Sequence, residues 1–207
     1  MINKDTQLYG SFSENPGNNG CTFFNEAFNK FNINAIYKSF KSNDIHRIVY
    51  CTKALPFAGF ALSIPFKKNI VGYLNEYNED VNKIGSCNTV IVKDEKLYGY
   101  NTDWIGVYKF FKDKDLKHIN IIGSGGFAHS IMYAFSKLNI NFSIVMRKDI
   151  PDINSVENQH FINATPADII SDKNIIFDAR PFTEVGKEIF TYQAKEQFKI
   201  YTGVEYV

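Results

Sequence analysis

Nowhere in the 207 residues does an uninterrupted apolar run approach the ~20 residues that a membrane-spanning helix needs. The opening segment, Met1-Ile-Asn-Lys-Asp-Thr6, lacks the apolar stretch of a secretory signal. An excess of one charge is also missing. Lys and Arg number 23 against 22 Asp and Glu, the signs are interspersed, and the net charge is +1. That balance argues against a surface built for nucleic acid or another polyanion. Cysteine is sparse: Cys21, Cys51 and Cys87 are odd in number and far apart, with no paired spacing. Such a set supports neither a disulfide scaffold nor a zinc site and suits a reducing compartment. Internal repeats and low-complexity linkers are absent too. Together these absences predict a cytoplasmic globular protein with no membrane or nucleic-acid partner.

What is present alternates between strand and helix patterns. Residues 7–13 read as a strand, followed by a Gly/Asn-rich turn over 14–20, and Phe23, Phe24, Ala27, Phe28 and Phe31 recur at helical spacing. Residues 36–40 form a short strand, and Asp44 can cap a helix running to about Lys53. Residues 59–63 are an apolar strand, with Pro65 placed just inside the next helix. Residues 88–92 and 96–100 flank a turn as a hairpin. A helix over 103–114, with Trp104, Val107, Tyr108 and Phe111 on one side, leads into a second unit. That unit continues as strand 119–122, a glycine turn, helix 128–138, strand 142–146, and short apolar runs at 160–162 and 174–177. Residues 191–201 read as a final helix. Strands alternating with helices predict parallel α/β units.

The glycine turn carries the first chemical signal. Gly123-Ser124-Gly125-Gly126-Phe127-Ala128 follows a strand and opens a helix, the context in which G-x-G-x-x-A cradles a dinucleotide. Glycines let the backbone bend tightly, and the pyrophosphate can sit on amide donors at the positive helix end. The alternative is a plain tight turn. At the end of the next strand an acidic residue would bond the ribose 2′-hydroxyl, whereas cations accommodate a 2′-phosphate. Here Arg147 and Lys148 occupy that place, which favours NADP, the alternative being two solvated surface cations.

Three junctions in the first half are more polar than a strand–helix connection requires. Ser63 and Lys67 are four apart at a helix start, Asn88-Thr89 follows Ile84-Gly-Ser-Cys87, and Asn101-Thr-Asp103 links a strand to a helix. Singly, each has a structural reading: Ser63 and Thr102 as caps, Asn88 as a turn former, Lys67 as a surface cation.

Taken in order, the segments resemble the shikimate dehydrogenase family. Gly59-Phe-Ala-Leu-Ser-Ile-Pro-Phe-Lys67 is similar to its G-x-N-V-T-x-P-[FY]-K, and Ile84-Gly-Ser-Cys-Asn-Thr-Val90 to its I-G-A-x-N-T-[VI]. Gly99-Tyr-Asn-Thr-Asp-Trp-Ile-Gly106 resembles G-x-N-T-D-x-x-G, and Asn163-Ala-Thr-Pro166 resembles the N-x-T-P loop beside the cofactor. Gln193-Ala-Lys-Glu-Gln-Phe198, with Tyr201-Thr-Gly203, resembles a late helix. The departures point to the divergent shikimate-dehydrogenase-like branch. Aligned on Asn25, Asn18 and Gly20 stand where the family has two substrate-binding serines, and Ala61 and Ser63 replace Asn and Thr. The stretch after Asp178-Ala-Arg-Pro181 is shorter than usual, and Asp178-Ala-Arg180 lacks the tyrosine often found there, so the cofactor domain is expected to be cut back beside the nicotinamide.

The resemblance implies an α/β substrate domain over 1–102, a shortened Rossmann-like NADP-binding domain over 103–190 across a cleft from it, and a helix over 191–207 packing back on the first. It implies reversible, NADPH-linked reduction of 3-dehydroshikimate to shikimate in aromatic amino-acid biosynthesis. The alternatives are a paralogue acting on a related ring such as quinate, or a weakened ligand-binding homologue. Lys67 and Asp103 would be catalytic, with Asn18, Ser63, Asn88 and Gln193 binding a small carboxylated polyol ring. Gly123, Ser124, Gly125, Gly126, Phe127, Ala128, Arg147, Lys148, Asn163 and Thr165 would hold NADP. No metal is implied.

Overall fold

The computed structural model describes residues 2–146 and 153–207, and its contacts divide the chain into two units. One comprises residues 1–102 and 194–207, the other residues 103–193.

The first unit is built on a six-stranded mixed sheet. Its strands are β1 (Gln7–Ser13), β2 (Ala35–Lys41), β3 (Phe57–Leu62), β4 (Glu76–Tyr77), β5 (Thr89–Lys93) and β6 (Lys96–Tyr100), in the order β2-β1-β3-β5-β6-β4. β1 pairs in parallel with β2 and β3, whereas β5 runs antiparallel to both β3 and β6. Helix α1 (Asn19–Lys30) buries Phe24, Ala27 and Phe28, the stripe its aromatic spacing predicts. Helix α2 (Ile45–Ala54) starts where Asp44 caps it, the carboxylate accepting from His46 N at 2.8 Å. Phe12, Phe57, Phe60, Leu62, Phe66 and Ile70 anchor the core between sheet and helices.

Two local expectations shift. Pro65 sits at the cap of α3 (Phe66–Asn69) instead of inside it, and Ser63 precedes that helix, its carbonyl accepting from Phe66 N. Between 70 and 84 the chain forms a 3-10 turn, β4 and helix α4 (Glu79–Ile84), none of which hydrophobic periodicity marks. α4 is closed at both ends: Asn78 caps it through Val81 N, and Gly85 ends it at φ 70°, a left-handed value glycine adopts without strain.

The second unit opens on helix α5 (Asp103–Phe111), which ends three residues before the expected Lys114. A four-stranded parallel sheet follows: β7 (His118–Ile122), β8 (Asn141–Val145), β9 (His160–Asn163) and β10 (Ile175–Asp178), in the order β10-β9-β7-β8. Helix α6 (Gly126–Leu138) makes the β7–β8 crossover. Val107, Phe111, Ile121, Ile131 and Phe135 are sealed from solvent in its core.

The last helix, α7 (Glu184–Thr202), begins well before the expected residue 191. The reason is local: the Thr183 hydroxyl accepts from Gly186 N at 3.0 Å and so caps a helix separated from the end of β10 by five residues. Its first half belongs to the second unit. From Ala194 onward it packs in the first, where Phe198 meets Phe28 and Phe31, and Tyr201 meets Tyr9 and Phe24. Among the described residues no helix is long and apolar enough to cross a membrane.

Candidate active site

In the first unit, the polar segments that stand apart in sequence are tied together at the ends of β3, β5 and β6. Asn88 is the central strut. Its Oδ1 accepts from Thr102 N at 2.8 Å and from the Thr89 hydroxyl at 3.1 Å, and its Nδ2 donates to Thr102 Oγ1 at 2.9 Å. Its backbone amide donates to Tyr100 O, and its carbonyl accepts from Leu62 N. Asn101 does the same one step further, donating through Nδ2 to Ser86 O at 2.9 Å. All of these side chains are buried. Lys67 joins the cluster through its backbone, its carbonyl accepting from Cys87 N at 2.8 Å, and its side chain is half-buried. Ser63 is exposed at the end of β3. The structure therefore brings Ser63, Lys67 and Asn88 to one end of this sheet.

Asn18 stands differently. It is exposed at the N-cap of α1, and its side chain makes no capping bond. Gly20 lies against Tyr37: a Cβ there would come within 2.9 Å of the Tyr37 ring and 3.3 Å of its hydroxyl. The ring thus fills the space that a side chain at residue 20 would need. Tyr37 bonds the Ser11 hydroxyl, and burial pushes its phenol well above the ordinary value. Ser11, Ser39 and Cys21 continue this chain of polar contacts, with Ser11 Oγ 3.1 Å from Ser39 Oγ and Cys21 Sγ 3.2 Å from Ser39 Oγ. Sequence reasoning missed this lining of the β1–α1 turn, because only the parallel pairing of β1 with β2 sets Ser11 opposite Ser39.

In the second unit, Asp103 is buried at the start of α5. Gly106 follows it by one helical turn and makes the close approach to α7. A Cβ on Gly106 would lie 2.6 Å from Ile189 O and 2.9 Å from Gln193 Cβ. Gln193 is therefore brought to the side of α5 that carries Asp103 and Gly106.

The glycine turn sits at the carboxyl end of β7, where the chain crosses by α6 to β8 on one side while β9 and β10 lie on the other. That is the switch point at which open α/β sheets bind ligands. Gly123 has φ 115°, which a side chain rarely adopts, and Gly125 caps α6 with open space around it. The first turn of α6 carries no acidic residue, so no carboxylate there opposes an anion at its positive end. Ser124 and Gly125 are exposed, whereas Ala128 is buried against the sheet. The 163–167 loop packs on the turn: a Gly123 Cβ would meet Thr165 Cγ2 at 3.0 Å. Asn163 shapes that loop, its Oδ1 accepting from Thr165 N and Thr165 Oγ1 at 3.0 and 2.8 Å and its Nδ2 donating to Ala167 O at 2.8 Å. These features fit a dinucleotide pyrophosphate. Arg147 and Lys148 lie outside the described residues. No group of three or more His, Cys, Asp or Glu placed to hold a metal occurs among the described residues.

A family model described as the shikimate dehydrogenase substrate binding domain matches residues 20–90. The shikimate dehydrogenase-like protein of Haemophilus influenzae is 31% identical over 251 positions, covering 98% of this chain and 93% of that protein. The chain belongs to the shikimate dehydrogenase family. That alignment is longer than the chain's own 207 residues, so the relative carries segments that this family member lacks. The shikimate dehydrogenase (NADP(+)) of Pyrococcus furiosus is 38% identical over 144 residues, covering 67% of this chain and 53% of that protein. The chain thus spans about half the length of the relatives so named. A solved shikimate 5-dehydrogenase-like structure superposes with a TM-score of 0.79 at 29% identity, covering 100% of this chain and 95% of that one.

Proposed function

We propose that this chain is a cytosolic NADP-dependent oxidoreductase that interconverts 3-dehydroshikimate and shikimate. The observation that carries the reading is the glycine turn at the end of β7, with Gly123 at φ 115° and α6 opening behind it, in a chain of this family. NADPH, when bound, supplies the hydride that ketone reduction needs. The Gly123–Ala128 turn, Asn163 and Thr165 would hold it, with Arg147 and Lys148 taking the 2′-phosphate.

The remaining work falls to side chains. The forming alkoxide needs a proton, and the Lys67 ammonium can stabilise the developing negative charge and donate it. In the oxidative direction the neutral amine takes the proton back. Asp103 would accept a hydrogen bond from a substrate hydroxyl and keep the lysine charge local. Ser63, Asn88, Gln193 and Asn18 would add neutral hydrogen bonds to the ring and its carboxylate.

A second reading, a related cyclic hydroxy acid such as quinate, is favoured by the β1–α1 turn. The Tyr37 ring occupies the room of a serine side chain at residue 20, so the polar lining for a ring substituent differs there. The test is NADPH-linked turnover of both dehydro acids by the purified protein and its Lys67→Ala variant. Shikimate-type turnover that falls roughly 100-fold in the variant, with NADP⁺ affinity retained, is expected. Equal turnover in both proteins overturns the lysine assignment. Selective turnover of the quinate-type ketone establishes the second reading.

A further inference from the structure

The connection between β10 and α7, which the family resemblance marks as shorter than usual, holds a charge network centred on Arg180. Arg180 lies in it with its guanidinium largely enclosed. Nε donates to Asp178 Oδ1 and Oδ2 at 3.0 and 2.8 Å, and Nη2 donates to Asp178 Oδ2 at 2.6 Å and to Asp168 Oδ1 at 2.5 Å. The guanidinium also stacks over Phe182 at 4.9 Å. The backbone is as tightly held. Thr183 Oγ1 donates to Arg180 O at 2.9 Å, and Gly186 presses on that same carbonyl so closely that no Cβ fits.

The two carboxylates belong to different parts of the fold. Asp178 ends β10, whereas Asp168 is an exposed residue on the loop leaving β9. Arg180 therefore pins that loop to the end of the neighbouring strand. Asp178 Oδ1 reaches the same loop a second way, accepting from Asn163 Nδ2 at 3.4 Å. Residues 163–168 are thus tied at both ends, and between the ties lies Thr165, packed on Gly123. Among the described residues β10 is the edge strand of its sheet, and no further strand supports the loop from beyond.

We propose that Arg180 is a positioning residue for the cofactor: by tying Asp168 to Asp178 it fixes the 163–168 loop against the glycine turn, on the nicotinamide side of the site. The side follows from strand order. The adenine ribose belongs at the end of β8, the strand after the glycine turn, so the nicotinamide half runs the other way, over β9 and β10. Arginine suits the task because its planar fork bridges two carboxylates at once, which a lysine cannot copy. The inference rests on the dinucleotide reading of the glycine turn.

The test is calorimetric binding of NADP⁺ and of 2′,5′-ADP, which lacks the nicotinamide half, to the full-length protein and to Arg180→Gln, Arg180→Lys and Asp168→Asn. Loosening the loop costs the ordering that binding then has to supply, so NADP⁺ affinity should fall about tenfold in Arg180→Gln and less in Asp168→Asn, with Arg180→Lys between wild type and Gln. Binding of 2′,5′-ADP should not change. Unaltered NADP⁺ affinity overturns the proposal, and so does equal weakening of both ligands, which marks general loosening of the unit. If Arg180→Gln does not fold, Asp168→Asn, altered at an exposed residue, decides on the same criteria. A wild type that binds 2′,5′-ADP and NADP⁺ leaves any failure specific to Arg180. A wild type that binds neither overturns the dinucleotide reading and this inference with it.

Discussion

Replacing Asn88 with alanine should destabilise the first unit by about 2–4 kcal/mol, and the figure can be built from its bonds. The Thr102 amide, in a residue sealed from solvent, loses its acceptor, Asn88 Oδ1, at 2.8 Å. Leaving a buried donor unsatisfied costs ~1–3 kcal/mol. The Nδ2 bond to Thr102 Oγ1 at 2.9 Å disappears as well, worth about 1 kcal/mol. Some of this is recovered, because Thr89 Oγ1 and Thr102 Oγ1 lie 3.3 Å apart and can bond each other once the amide is gone. The measurement is urea unfolding followed by circular dichroism, since the only tryptophan, Trp104, lies in the other unit. Thr102→Val removes the partner hydroxyl alone, so the double variant should fall short of additivity by about 0.5–1 kcal/mol. A loss below about 1 kcal/mol, or strict additivity, would show that water or a backbone shift satisfies Thr102, and the strut argument would fail.

Two further outcomes follow from burial. Tyr9 is pushed up to about 12 by burial, and burial likewise holds Tyr37 and Tyr201 well above the ordinary phenol value, so the fold favours all three neutral phenols. Their contribution is intact below the unfolded value near 10 and is lost as pH rises through the folded values. Thermal melts should therefore show stability dropping above pH 10 by up to ~1.4 kcal/mol per pH unit per phenol, less steeply in Tyr201→Phe; a flat profile to pH 11 would contradict this. Gly106→Ala places a methyl 2.6 Å from Ile189 O and should cost ~1–3 kcal/mol in urea unfolding monitored by Trp104 fluorescence. Wild-type stability in that variant would mean α5 and α7 separate freely.

The parts of this fold that show in the sequence are those set by local spacing. The aromatic stripe of α1, the Asp44 cap and the β5–β6 hairpin need only neighbours a few residues away. The glycine turn shows because a backbone at φ 115° excludes nearly every other residue. β4 does not show, since two residues become a strand only by pairing with β6. The start of α7 does not show either, because Thr183 became a cap through where β10 ended, not through any helical pattern around it.

The candidate site divides along the same line. Lys67, Asn88 and Asp103 carry no signal singly, and only their ordered neighbours gave them meaning. The structure adds a reason for Asn88 that the resemblance does not contain: it closes the gap between Tyr100, Thr102 and Leu62, so its identity is constrained by scaffolding even before any ligand is considered. Arg180 is the converse case. Its partners lie two and twelve residues away, and no periodic pattern links them. They meet only because β9 and β10 pair in register, Asn163 opposite Asp178, which sets the loop of Asp168 beside the strand end of Asp178. A chain with fewer residues after its last strand has less fold with which to hold a cofactor loop, and ion pairs among residues already present are the shortest means of holding it. Lengthening the connection without keeping the arginine should not restore a loop that the arginine's loss has freed.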